Sequence, residues 1–309
     1  MTLRALLLAL SQRPTIGAAM DRLPITRRFV RRFVAGRTVE EAFRVIAALD
    51  ARGLMTAVTY LGENVATPAD AEQATGTYLV LLDEIARRRA RCLPSLKLTH
   101  LGFDLGEDLC ERNLSRLLER GAAVGVRVWI DMEGSAYTER TLDLYARVRA
   151  RHANAACVVQ SYLRRTPADV DRLVGLGATV RLCKGAYQEP PSIAYSDKHD
   201  VDVAYARLVE RLLAADARTR GVYPGFATHD ERLQRHVITT ARVRGAAVDG
   251  WEIQMLFGIR HDLHARLAAE GVPLRVLVPY GEDWYGYFMR RLAERPANLV
   301  FLLRNLARN

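Results

Sequence analysis

The chain has 309 residues, half of them hydrophobic, so it can bury a sizeable core as two ordinary domains or as one large α/β barrel. Its formal charge of +10 comes from arginines spread along the whole length. No basic tail or basic and aromatic interleaving is present, which argues against a nucleic-acid reader and for a solvated surface.

At the start, Ala5 to Leu10 is apolar but too short for a usual signal-peptide core, and polar residues follow it. No apolar run approaches the ~20 residues of a membrane-spanning helix. The expectation is a cytoplasmic protein, with peripheral contact at the inner face of the membrane as the furthest departure. Arg27-Arg28-Phe29-Val30-Arg31-Arg32-Phe33-Val34 alternates arginine pairs with apolar pairs and reads as a basic amphipathic helix. Either it packs on the rest of the chain, or Phe29 and Phe33 touch a membrane surface. Residues 1–50 form an N-terminal helical extension in this reading.

From Leu54 onward, strand-like apolar runs alternate with helical patterns. The runs are Leu54 to Leu61, Leu93 to Leu98, Val126 to Ile130, Cys157 to Gln160, Thr179 to Cys183, Gly221 to Ala227, Trp251 to Gln254 and Leu274 to Val278. Amphipathic stretches between them include Leu109 to Leu118, Thr141 to Arg151, Ala168 to Leu176, Val203 to Ala214 and Asp230 to Val243. Repeated strand-helix units imply parallel pairing, because each parallel strand needs a crossover. No repeat or composition break marks a linker. The predicted fold is therefore α/β: a (βα)8 TIM-like barrel over residues 51–309. Four cysteines form no C-x-x-C pair and read as reduced, with Cys157 and Cys183 inside apolar runs.

Such a barrel does its chemistry at the C-terminal ends of its strands. Polar residues gather there: Lys97, Thr99 and His100; Asp131 and Glu133; Gln160; Arg181 and Lys184; Thr228 and His229; Glu252 and Gln254. The chain has only three lysines, and two of them, Lys97 and Lys184, close apolar runs. An ammonium there is a compact charge whose pKa its surroundings can tune, although a snorkelling strand terminus explains either one equally well. In the closing segment Asp283 to Glu294, helical spacing brings Tyr287, Arg290, Arg291 and Glu294 onto one side. That pattern is either a surface ion-pair network or a carboxylate clamp with an aromatic cover.

No G-x-x-x-x-G-K-[ST] or H-E-x-x-H motif occurs, and Gly175-Leu176-Gly177 precedes a strand and lacks the third glycine of a dinucleotide turn. His100, Asp131 and His229 offer three metal ligands without the expected histidine pair, so no metal is expected. A Schiff-base lyase using Lys97 or Lys184 is chemically feasible but gives Gln160, Thr228 and the arginine pair no task. A basic protein that binds RNA or an anionic membrane is the alternative from a different class.

Read together, Leu96-Lys97-Leu98-Thr99, Asp131-Met132-Glu133, Val158-Val159-Gln160-Ser161-Tyr162-Leu163, Val180 to Tyr187, Ala227-Thr228-His229, Glu252 to Gly258 and Tyr287 to Glu294 resemble the proline dehydrogenase family. The set follows the family's order over residues 54–305. The resemblance implies oxidation of L-proline to Δ1-pyrroline-5-carboxylate by hydride transfer to FAD. A membrane quinone would take the electrons, and a separate pyrroline-5-carboxylate dehydrogenase is a candidate partner. It implies cofactor contacts from Met132, Gln160, Arg181, Lys184, Gly185, Ala186, Thr228 and His229, with Arg181 near flavin N5. Lys97, Arg290 and Arg291 would bind the carboxylate, Glu294 would orient the arginines, and Tyr287 and Leu256 would pack on the pyrrolidine. Asp131 matches an active-site aspartate and is expected to hold Lys97 or a neighbouring donor. Leu277 stands where the family commonly carries a tyrosine at the substrate wall, a departure that bears on selectivity toward hydroxyproline.

Overall fold

A computed structural model describes residues 30–294, with side chains through Met289. Helix α1 (Val39–Asp50) begins at a capping box in which the Thr38 hydroxyl accepts from the Glu41 amide while Glu41 reaches back, satisfying amides the helix cannot pair itself. Eight strand-helix units follow. They are β1 (Met55–Tyr60) and α2 (Pro68–Arg88); β2 (Cys92–Leu96) and α3 (Glu107–Ala123); β3 (Val128–Ile130) and α4 (Ser135–Arg149); β4 (Ala155–Gln160) and α5 (Thr166–Gly175). Then come β5 (Thr179–Cys183) with α6 (Lys198–Leu212) and the short α7 (Ala215–Thr219); β6 (Tyr223–Ala227) and α8 (Glu231–Val243); β7 (Glu252–Leu256) and α9 (His261–Ala269); β8 (Leu274–Tyr280) and α10 (Trp284–Glu294).

All eight strands pair in parallel and in chain order, and β8 returns to β1 over six residue pairs to close a barrel. A closed sheet leaves no free edge, and each strand is buried both by the helices outside and by the side chains inside. Ala155–Gln160 shows the result most clearly, with every residue buried. The barrel and its helices share one core that extends to Phe43, Ile46 and Leu49 of α1. The eight apolar runs fall on the eight strands, offset by a few residues at the ends. Helices α2 and α9, unmarked by the sequence reading, occupy the crossovers that parallel pairing demands.

The segment before α1 departs from expectation. Residue 30 is helical, but residues 31–33 form a turn, so the basic amphipathic helix does not run through Val34; Arg27, Arg28 and Phe29 lie outside the described residues. The reason is local: Ala35 donates to the Pro279 carbonyl at 2.8 Å and Gly281 to the Gly36 carbonyl at 2.9 Å, tying this backbone to the end of β8. Phe33 and Val34 are buried with Trp284 and Phe288 of α10. Packing on the barrel, rather than membrane contact, is where Phe33 is used. Gly258, at φ +81°, allows the approach, since a Cβ there would overlap the Arg32 carbonyl.

Candidate active site

A cavity of about 790 Å³ opens at the C-terminal end of the barrel, within the range of small-molecule and cofactor sites. Alternation along each strand decides what enters it. On β5, Arg181 and Cys183 point inward, followed immediately by Lys184, Gly185 and Ala186. From β2 comes Lys97, one residue past the last paired position; from β3 and β4 come Asp131, Met132 and Gln160. Thr228 and His229 follow β6, Gln254 and Leu256 belong to β7, and Tyr287 reaches in from α10. Twelve residues proposed from sequence thus line a single cavity. The remaining three, Arg290, Arg291 and Glu294, lie on the backbone of α10, but their side chains are outside the described residues.

Arg181 lies deepest. Its guanidinium is only 6% exposed, and burial pulls its pKa below the ordinary value although Asp131 pulls the other way. Nε donates to Gln254 Oε1 at 2.5 Å, while Nη1 donates to Asp131 at 2.7 Å and to the Ser95 hydroxyl at 3.0 Å. The carbon between them sits 4.6 Å over the Trp129 ring. Nη2 is buried and has no hydrogen-bond partner among the described residues. A buried donor without an acceptor is unfavourable by ~1–3 kcal/mol, so a ligand atom in the cavity is its natural partner.

Of its two expected partners, Lys97 or a neighbouring donor, Asp131 takes the second: its carboxylate is committed to Arg181 and Ser95, because both face the same interior layer. Lys97 pairs instead with Glu63, from the loop after β1, which the sequence reading had not chosen. Glu133 faces away from the cavity and accepts from the Thr99 amide and hydroxyl; burial raises its pKa.

The cofactor candidates on β4 and β6 are held by backbone contacts. Gln160 Nε2 donates to the Glu133 carbonyl at 2.9 Å, and His229 Nε2 accepts from the Leu256 amide at 2.9 Å, which leaves its proton on Nδ1. Gly185 adopts φ +111°, and a Cβ would run into the Tyr162 ring. Lys184 donates to Asp202 at 2.5 Å and lies 3.4 Å from Asp230, whose pKa falls to about 2 against its burial because Lys184 and Lys198 face it.

The sequence reading missed the rim. Lys198, Arg232 and Arg260 also line the cavity, so with Lys97, Arg181 and Lys184 six cations reach it; Asp131, Asp230 and Glu231 line it too, and Glu63, Asp202 and Asp262 pair with the cations from outside the lining. The Lys198 and Arg232 side chains stay well exposed at the rim, where they can meet an anionic ligand. The available signal was at the helix starts: Asp197 caps α6 just before Lys198, and Asp230 caps α8 just before Arg232. All three lysines of the chain therefore reach one cavity.

The sequence model described as "Proline dehydrogenase" matches residues 42–304. Proline dehydrogenase 2 of Bacillus subtilis strain 168 is 36% identical over 277 residues, covering 90% of both chains. The chain belongs to the proline dehydrogenase family. Proline dehydrogenase 1 of the same strain is 36% identical over 304 residues, covering 98% of this chain and 99% of its own, and the Deinococcus radiodurans proline dehydrogenase is 38% identical over 282 residues, covering 89% of each. Among solved structures, proline utilization A from Bdellovibrio bacteriovorus, inactivated by N-propargylglycine, superposes with a TM-score of 0.80 at 22% identity. It shares the fold, and the chain covers 86% of itself but only 32% of that larger protein. Proline dehydrogenases use a flavin, and this cavity fits one: the orphaned Arg181 Nη2 and the cations at the rim match a polar ring edge and a phosphate chain. No helix among the described residues is long and apolar enough to cross a membrane.

Proposed function

We propose that the protein oxidises L-proline to Δ1-pyrroline-5-carboxylate with FAD across the barrel mouth, a quinone as final acceptor and a separate pyrroline-5-carboxylate dehydrogenase as consumer of the product. The observation that carries this is Arg181, a buried guanidinium fixed on three sides whose one unpartnered nitrogen belongs to the cavity that Lys97 and Tyr287 also line. Bound FAD supplies a hydride acceptor at N5. Arg181 is assigned to that edge of the ring, where a preorganised cation favours incoming negative charge.

Met132, Gln160, Lys184, Gly185, Ala186, Thr228 and His229 are assigned to holding the cofactor, and Lys198, Arg232 and Arg260 to its phosphates. Lys97 is assigned to the proline carboxylate, with Glu63 as its counter-charge. Positions 290 and 291 lie three and four residues beyond Tyr287 on α10, the spacing that shares its side of a helix, and on that ground Arg290 and Arg291 are assigned to the clamp and Glu294 to orienting them. Tyr287 and Leu256 pack on the pyrrolidine. The amine must be neutral for its lone pair to assist loss of hydride from C5. Holding acid group and ring at once converts the encounter into an oriented contact.

Steady-state oxidation of L-proline with a soluble quinone tests the assignment. Arg291→Met is expected to raise the Michaelis constant by ~10- to 150-fold, the equivalent of losing a charge-assisted hydrogen bond of ~1.5–3 kcal/mol, with flavin content unchanged. An unchanged constant would remove α10 from the substrate site, and a flavin-loaded protein inert to proline would remove the reading.

A further inference from the structure

Beneath Arg181 the barrel interior contains a polar chain that the reaction does not obviously need. Gln254, 4% exposed, accepts from Arg181 Nε at 2.5 Å and donates through its own nitrogen to Glu252 Oε1 at 2.6 Å. Glu252 is fully buried, and its carboxylate is saturated: Arg275 grips both oxygens at 2.7 and 2.9 Å, and the Tyr223 hydroxyl donates at 3.0 Å. An amide between a guanidinium and a carboxylate has only one satisfactory orientation, oxygen to the cation and nitrogen to the anion. Glu252 therefore sets which way Gln254 faces, and Gln254 sets the twist of the Arg181 guanidinium about its Nε.

Strand β6 lies between β5 and β7, so Arg181 and Gln254 are not on adjacent strands. Gly225 is the β6 residue in register with Arg181 on one side and Glu252 on the other. A Cβ there would overlap the Gln254 side-chain nitrogen and come within 3.0 Å of its Cδ. The contact across β6 exists because position 225 carries no side chain. Gly225 has an ordinary β conformation, so this role is spatial rather than conformational.

We infer that Gln254, held by Glu252 and admitted by Gly225, is a positioning residue that aims the free Arg181 nitrogen at the cofactor and thereby tunes the flavin's reduction potential. This rests on the proposed placement of Arg181 beside the flavin. Losing the Gln254 contact frees the guanidinium to swing toward Asp131, weakening the cation's hold on the reduced ring and lowering the potential.

The test is spectroelectrochemical titration of FAD-loaded Gln254→Leu, Gly225→Ala and Arg181→Met, with dissociation constants for a proline-like carboxylate measured alongside. Gly225→Ala adds one methyl, leaves every charge in place, and displaces only the end of a flexible side chain. The expected result is a tenfold or greater loss in the two-electron reduction equilibrium for Gln254→Leu and Gly225→Ala, ~30 mV or more downward, with carboxylate affinity kept within threefold. If Arg181→Met shifts the potential but Gly225→Ala does not, the positioning role is overturned while the Arg181 assignment stands. If Arg181→Met leaves the potential unchanged, the assignment itself fails and this inference with it. Should Gln254→Leu not fold, Gly225→Ala alone decides.

Discussion

Removing the Asp131 carboxylate should expose how strongly the buried cation depends on it. Asp131 is the one carboxylate seen bonded to Arg181, at 2.7 Å, with the guanidinium 6% exposed and the carboxylate 20% exposed. Breaking a fully buried pair from one side costs ~3–5 kcal/mol, but the cavity admits water to Asp131, and Gln254 and Ser95 keep two of the cation's donors satisfied. The loss expected for Asp131→Ala is therefore ~2–3 kcal/mol, the scale of one charge-assisted hydrogen bond. Asp131→Asn keeps an acceptor oxygen in place and removes only the charge, so it should lose about half as much, ~1 kcal/mol. Urea denaturation of the flavin-free protein at neutral pH measures both. A double-mutant cycle with Arg181→Met should return a coupling of ~2 kcal/mol, since the carboxylate has little to stabilise once the cation is gone. Additive effects, or a loss below ~0.5 kcal/mol for Asp131→Ala, would show that Arg181 does not rely on this pair and would refute the electrostatic account of the site.

Gly185→Ala should weaken FAD binding tenfold or more, because the substitution meets both a φ of +111° and the Tyr162 ring; fluorescence titration of the flavin-free protein checks it, and unchanged affinity would show that the Gly185 turn packed against Tyr162 does not shape the cofactor seat. His264 is fully buried with both ring nitrogens unpartnered, and burial, reinforced by His261 and Arg52, lowers its pKa to about 4. Its neutral form is the folded form. The unfolded chain takes up a proton below ~6.5 that the folded chain refuses until about pH 4, so stability is unaffected above neutrality and falls as pH drops through that window. His264→Leu should abolish ~2 kcal/mol of the loss between pH 7 and 5, read from urea midpoints at the two pH values; an unaltered pH dependence would refute the assignment.

What the sequence revealed follows from the physics of a parallel barrel. Strands buried on both faces read as unbroken apolar runs, so Cys157–Gln160 and Thr179–Cys183 were evident, while Arg181 registered only as one of the polar residues at a strand end and took its role from the family resemblance. The polar positions at strand ends converge because closure brings every C-terminal end to one rim. Pairings within the rim were not evident. Asp131 and Arg181 are 50 residues apart and meet only because their strands place them in one interior layer, and Lys97 finds Glu63 on a loop with no periodicity of its own. Lys198, Arg232 and Arg260 sit at helix starts or the loop before one, where charged residues are ordinary. Gly225 carried no signal at all, since its importance lies in a side chain on the next strand.

Anaerobic reduction of the FAD-loaded protein by L-proline, compared with proline deuterated at C5, tests the central claim most directly. The account predicts that one equivalent of proline bleaches the flavin and that deuteration slows the bleaching by a primary isotope effect. A flavin that stays oxidised in excess proline, or one reduced at the same rate by both substrates when the chemical step is isolated, would contradict it.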